Sequence, residues 1–205
     1  MSPMLPDLED YFRGFIPARD DLLLRLEEEA RREGIPIVGP VVGELLFILA
    51  RATGAARILE LGTATGYSTI YLGRACQPQG GRVVTLELNP AMAARARANI
   101  AQAGLDRTIE VREGEALKLL DQMAGPVDFI FMDIDKESYL PALPFCHRLL
   151  KLGGLLVTDN VAFKGAADFN RKIFDSKQWR TVHLLGWLPQ HSPEKDGLSL
   201  ALRVA

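Results

Sequence analysis

The 205-residue chain carries 48% hydrophobic residues and a formal net charge of -2. That apolar content suffices for one full core, and the near-neutral balance excludes a uniformly basic nucleic-acid binder while leaving room for a local basic patch. No apolar run approaches the roughly 18 residues needed to span a bilayer, and the acidic, proline-bearing start MSPMLPDLEDYF does not read as a signal peptide.

In chain order, Asp7 to Gly14 and Ala18 to Arg32 predict two helices broken at Pro17. The charge run Glu27, Glu28, Glu29, Arg31 and Arg32 reads as a solvated helix face, and Gly34 ends the helix. Ile35 to Pro40 reads as an extended linker, because each proline disfavours helix in the residue before it. Val41 to Ala52 is apolar nearly all round, which predicts a helix buried against a sheet or a second subunit. Residues 1–53 are therefore expected to cover the site or form a homodimer interface, ahead of an α/β core over 54–205 in the same domain.

From Arg57 onward strands and helices alternate. Strands are predicted at Arg57 to Leu61, Arg82 to Glu87, Thr108 to Arg112, Val127 to Asp133 and Leu155 to Thr158, with the clearest helix at Pro90 to Ala103. Five strands separated by helices predict a parallel, doubly wound sheet whose ligands sit at the strands' carboxyl ends. Arg180 to Trp187 and Leu198 to Val204 read as two directly joined strands, giving an antiparallel C-terminal hairpin. The result is a Rossmann-like, seven-stranded α/β sheet. Cys76 and Cys146 fall in apolar helical contexts without a CxxC, which predicts reduced core thiols and a cytoplasmic protein.

The stretch RILELGTATGYSTI is a buried strand running into a turn with Gly62, Thr63 and Gly66, then into a helix. Glycine admits a close ligand, and the first helical N–H groups are free to donate. GxGxxG is absent, which speaks against a nicotinamide-binding oxidoreductase. Glu60 ahead of the turn repels phosphate and favours a cationic ligand such as S-adenosylmethionine. Glu87, one βα unit later, is placed to accept from ribose hydroxyls, and Ala116 to border the adenine. FMDIDK and VTDN end neighbouring strands, so Asp133 should meet Asp159 and Asn160. Two carboxylates and an amide oxygen form a hard donor set for Mg²⁺, Ca²⁺ or Mn²⁺. Loop capping is the plainer reading of the same residues.

Together ILELGTATGYST, LELNP, FMDIDK and VTDN resemble the metal-dependent O-methyltransferases typified by the catechol and caffeoyl-CoA enzymes, from about Ile35 to the C-terminus. The resemblance implies the class I methyltransferase fold and metal ligands at Asp133, Asp159 and Asn160. It implies cofactor contacts at Val38, Glu60, Gly62, Ser68, Glu87, Ala116 and Asp133, and a general base at Lys136, whose neutral form a nearby metal and sulfonium would favour. The animal enzymes carry an acceptor-clamping glutamate where this chain has Ser199 in DGLSLAL. The short segment after Asn160 argues against a large thioester acceptor. The expected substrate is a small hydroxylated aromatic. The alternative is tRNA bearing 5-hydroxyuridine, reached through Lys164, Arg171, Lys172, Lys177 and Arg180, residues that an ordinary helix surface explains equally well. His191 and Trp187 are further candidates for the acceptor pocket.

Overall fold

The computed structural model describes residues 3–205. Its centre is a seven-stranded sheet in the order β3-β2-β1-β4-β5-β7-β6. Strands β1 (Arg57–Leu61), β2 (Arg82–Glu87), β3 (Ile109–Glu113), β4 (Val127–Met132) and β5 (Leu150–Thr158) are parallel. The hairpin strands β6 (Trp179–Trp187) and β7 (Lys195–Arg203) close one edge, and β7 inserts antiparallel between β5 and β6. β5 starts five residues before the expected Leu155, because Leu150 already pairs with Val127 across a register shift.

Alternation along the strands feeds two cores, one on each face of the sheet. Ile58, Phe129 and Phe131 join the face covered by α2 (Asp21–Glu33), α3 (Gly39–Ala52), α4 (Tyr67–Cys76) and α5 (Pro90–Gln102). Leu59, Leu61, Ile130 and Met132 join the face covered by α6 (Ala116–Gln122), α7 (Tyr139–Leu149) and α8 (Ala167–Asp175). Both cysteines are free and buried, and burial pushes the Cys76 thiol up to about 11 and the Cys146 thiol up to about 12.

The N-terminal helices differ from expectation in instructive ways. α1 (Leu8–Arg13) buries none of its residues and is tied down by Arg13 to Glu194 and by Glu9 to Lys195. α2 starts only at Asp21, because Asp20 caps it by accepting the Leu23 N–H. Its charge run is not wholly solvated. Glu27 is 5% exposed and takes the Tyr67 hydroxyl at 2.6 Å and the Arg19 guanidinium at 3.0 Å, which clips α2 onto α4. α3 begins two residues early, with Gly39 at φ +68 where a Cβ would sit 2.6 Å from the Gln190 carbonyl. It packs on α4 through Gly43, which lies against the Tyr71 ring. The intramolecular core thus accounts for most of α3's apolar surface, with Ile48 left 53% exposed.

Among the described residues, no helix is long and apolar enough to cross a membrane. Phe131, fully buried between β1 and β5, is expected to cost about 3–5 kcal/mol on Phe131→Ala. Urea unfolding monitored by tryptophan fluorescence checks that loss.

Candidate active site

The site is assembled at the carboxyl ends of β1, β2, β4 and β5, starting from the turn after β1. Gly62 has φ +95, and a Cβ there would stand 2.0 Å from the Asp133 carbonyl oxygen, so only glycine lets the two strand ends approach. The Asp133 N–H donates to the Leu61 carbonyl at 2.8 Å, and the Asp159 N–H donates to the Met132 carbonyl at 3.0 Å. These two bonds bring the three chain segments into register. Gly66, at φ +86, opens α4.

Two carboxylates hold the turn from either side. Glu87 accepts the Thr63 and Ala64 N–H groups on one oxygen, at 3.2 and 2.8 Å, and the Asn89 N–H on the other at 2.8 Å. Glu60 lies beneath the turn, fully buried, and accepts the hydroxyls of Ser68 at 2.7 Å and of Thr69. Burial pushes its carboxyl up to about 7 against the opposing pull of those hydroxyls.

The turn opens into a cavity of about 710 Å³. Of the residues expected at the cofactor, Val38, Gly62, Thr63, Ser68, Glu87, Ala116 and Asp133 line this cavity. Glu60 and Gly66 stay outside its wall: Glu60 is turned toward the α4 hydroxyls, and Gly66 serves the backbone bend. Lys136, Asp159 and Asn160 line the same space, as do Phe163, Ser192 and Pro193, which the sequence reading had not singled out.

At the floor, Asp133 lines the cavity with its side chain 29% accessible, and its carboxyl is raised above the usual range by burial and then by the Asp159 charge. Lys136 opposes that shift, with Nζ 3.0 Å from Asp133 Oδ1 and 3.2 Å from the Ile134 carbonyl. The same ammonium stands 5.4 Å from the Tyr139 ring centre and 6.0 Å from that of Phe163.

Asp159, 1% exposed, is embraced by His191, whose Nε2 lies 3.0 and 2.9 Å from the two carboxylate oxygens. His191 Nδ1 faces the Pro193 carbonyl at 2.6 Å, so that nitrogen carries a proton. Burial works to lower the imidazole, but the hydrogen bond and charge of Asp159 outweigh it and raise the group above its ordinary value. His191 is thus a partner of Asp159 behind the cavity wall. Asn160, in the left-handed region at φ +50, gives its Nδ2 to Asp196 Oδ2 at 2.7 Å, which leaves its amide oxygen as the side-chain acceptor for the cavity. His191, expected in the acceptor pocket, stands behind its wall as the partner of Asp159, and no spacing motif marked Asp196.

Two further residues near the last strands lie outside the cavity. Ser199, which stands where the animal enzymes carry the clamping glutamate, is fully buried in β7 opposite Thr158 and outside the cavity wall, in line with the doubt about such a clamp. Trp187 lies beneath the Arg13 guanidinium, 4.9 Å from ring centre to carbon, and not in the pocket. Lys164, Arg171, Lys172, Lys177 and Arg180 are all exposed, interspersed with Asp168 and Asp175, and Arg171 lies 3.7 Å from Asp168.

The donor chemistry bears on a metal. Among the described residues no group of three or more His, Cys, Asp and Glu side chains is arranged to hold one. Asp133 and Asp159 supply two carboxylates, and the third donor is the Asn160 amide oxygen. This all-oxygen set suits a hard divalent cation.

The O-methyltransferase family model matches residues 20–184. A catechol O-methyltransferase of Niastella koreensis is 40% identical over 170 residues, covering 80% of this chain and 76% of its own. That of Mycobacterium tuberculosis is 38% identical, covering 78% and 74%. The crystal structure of an O-methyltransferase from Bacillus cereus in complex with SAH superposes with a TM-score of 0.86 at 31% identity, over 96% of both chains. The chain belongs to the O-methyltransferase family, and its sheet is the class I methyltransferase fold.

Glu60 yields a pH prediction. Its folded carboxyl titrates near 7 against an ordinary 4.5, so the folded state holds the proton that the unfolded state releases between those values. Its contribution is therefore most favourable below about 4.5 and is lost as pH rises toward 7, a difference of roughly 3 kcal/mol. Denaturant unfolding of the ligand-free protein at pH 5 and pH 8 should show that decline, and the Glu60→Gln protein should show less of it.

Proposed function

We propose that the protein transfers the methyl group of S-adenosylmethionine to one hydroxyl of a small aromatic bearing adjacent oxygens, with a divalent cation at Asp133, Asp159 and Asn160. The observation that carries this reading is that these three donors share one cavity with the glycine turn, Glu87 and Lys136. The SAH complex of the Bacillus cereus protein supports the cofactor, and the names of the catechol enzymes support the acceptor class.

Each residue has a task that follows from its place. Glu87, already pinned to the turn by three backbone N–H groups, retains a lone pair on Oε1 for a ribose hydroxyl. Val38, Thr63 and Ser68 wall the methionine end, and Ala116 borders the base. Bound S-adenosylmethionine supplies an electrophilic methyl carbon for direct displacement. A divalent cation, when bound, lowers the pKa of a coordinated hydroxyl and fixes its direction of attack. Lys136 Nζ, held at the rim of the oxygen cluster by Asp133 and Ile134, would take the hydroxyl proton in its neutral form, after a bound cation and the sulfonium had displaced its own proton. Phe163 and Pro193 shield the acceptor ring from water. Such positioning supplies on the order of 7–11 kcal/mol of a barrier.

The cavity of about 710 Å³ has to take both cofactor and acceptor, which favours a small ring over a large thioester. The mixed charges along α8 favour the same choice over tRNA, since a phosphate-tracking face needs a run of one sign. A homodimer through the exposed Leu8, Phe12, Phe15 and Ile48 fits the apolar surface left on α1, the segment after it and α3. Solution scattering that gave a monomeric mass would contradict the homodimer. Two buried free thiols fit a cytoplasmic setting.

Labelled S-adenosylmethionine, offered with a catechol panel and with hypomodified tRNA, should label the catechols and stop doing so in chelator. Labelling of tRNA alone would contradict the acceptor reading, and labelling indifferent to chelator would contradict the metal. Lys136→Ala should lower kcat by about 10²- to 10⁴-fold while calorimetric affinity for S-adenosylmethionine is retained.

A further inference from the structure

We propose that Asp196 orients Asn160, so that the amide oxygen and not the amide nitrogen meets the cation; the assignment rests on the metal-dependent reading above. Asp196 is fully buried in β7 and lies outside the cavity wall, so it acts through its neighbour. Its two oxygens are committed to different partners. Oδ2 accepts Asn160 Nδ2 at 2.7 Å, while Oδ1 accepts the Gly197 N–H at 2.6 Å and the Ala162 N–H at 3.3 Å.

A carboxylate is acceptor-only, so it tolerates one arrangement of the facing amide: nitrogen toward Asp196, oxygen away from it. Turning the amide over would set its oxygen against the carboxylate and leave buried groups unpaired, at a cost far above thermal energy. The Ser192 carbonyl, 3.4 Å from the same nitrogen, enforces the same choice. Asn160 is itself in a left-handed backbone conformation that asparagine tolerates well, so what remains to be specified is the amide's direction. Among the described residues the hydrogen-bond partners of Asp196 are neutral: the Asn160 amide and the Ala162 and Gly197 N–H groups. The His191 imidazole, raised in part by the Asp196 charge, is the positive group nearest to hand, and a cation held through Asn160 would add to it.

The test is a reciprocal exchange read by Mn²⁺ calorimetry. In Asp196→Asn the single remaining oxygen stays with Gly197 and Ala162, so an amide nitrogen faces the Asn160 nitrogen and Asn160 turns over. Mn²⁺ affinity should fall about 10- to 100-fold. S-adenosylmethionine affinity should be retained. Combining Asn160→Asp with Asp196→Asn restores one donor facing one acceptor at unchanged net charge, and Mn²⁺ affinity should return to within about threefold of the unaltered protein. Where Asp196→Asn does not fold, the exchange variant decides alone. Undiminished Mn²⁺ binding by Asp196→Asn, or a folded exchange variant that fails to recover it, would overturn the orienting role. An unaltered protein that binds S-adenosylmethionine but no Mn²⁺ would overturn the metal reading and this assignment with it.

Discussion

Everything at the carboxyl edge of the sheet answers to one constraint: the Asp133 and Asp159 carboxylates sit at the ends of adjacent strands, and their repulsion has to be met by positive charge. Lys136 meets one and His191 the other. The strand register makes the encounter unavoidable, because the backbone N–H of each aspartate is bonded to the preceding segment's carbonyl. Asn160 and Asp196 extend the arrangement by fixing where the neutral oxygen donor points. On the proposed reading, a bound cation would take over the charge balance that Lys136 and His191 supply.

The turn after β1 obeys a related logic with the opposite emphasis. Glu87 organises it from the ligand side by collecting backbone N–H groups. Glu60 organises it from below, as a buried carboxyl held by α4 hydroxyls. The acidic residue that first suggested a cationic ligand therefore shapes the floor of the turn without reaching the cavity. Its influence on a ligand passes through Ser68, which does line the cavity.

Much of this was legible in the amino-acid order because parallel strands repeat a local pattern. The alternation of Ile58, Leu59 and Leu61, the glycine turn, and the acids after β2, β4 and β5 are all contiguous signals, and strand-end chemistry follows from them. The unread parts depend on contacts between distant segments. Glu27 looked solvated because Tyr67 reaches it only when α4 packs on α2, and Arg19 only when the segment before α2 folds back along the helix. His191 and Asp196 sit on the final hairpin, and their roles arise when β7 enters the sheet beside β5, an insertion no local motif announces.

The central claim is that the sheet's carboxyl edge holds a divalent cation through three oxygen donors beside the methyl-donor pocket. Anomalous diffraction from crystals grown with Mn²⁺ and S-adenosylhomocysteine measures this directly. The account predicts one peak bounded by Asp133, Asp159 and the Asn160 amide oxygen, next to a nucleoside held at Glu87. A bound nucleoside with no peak at those residues, or a peak ligated elsewhere, would contradict it.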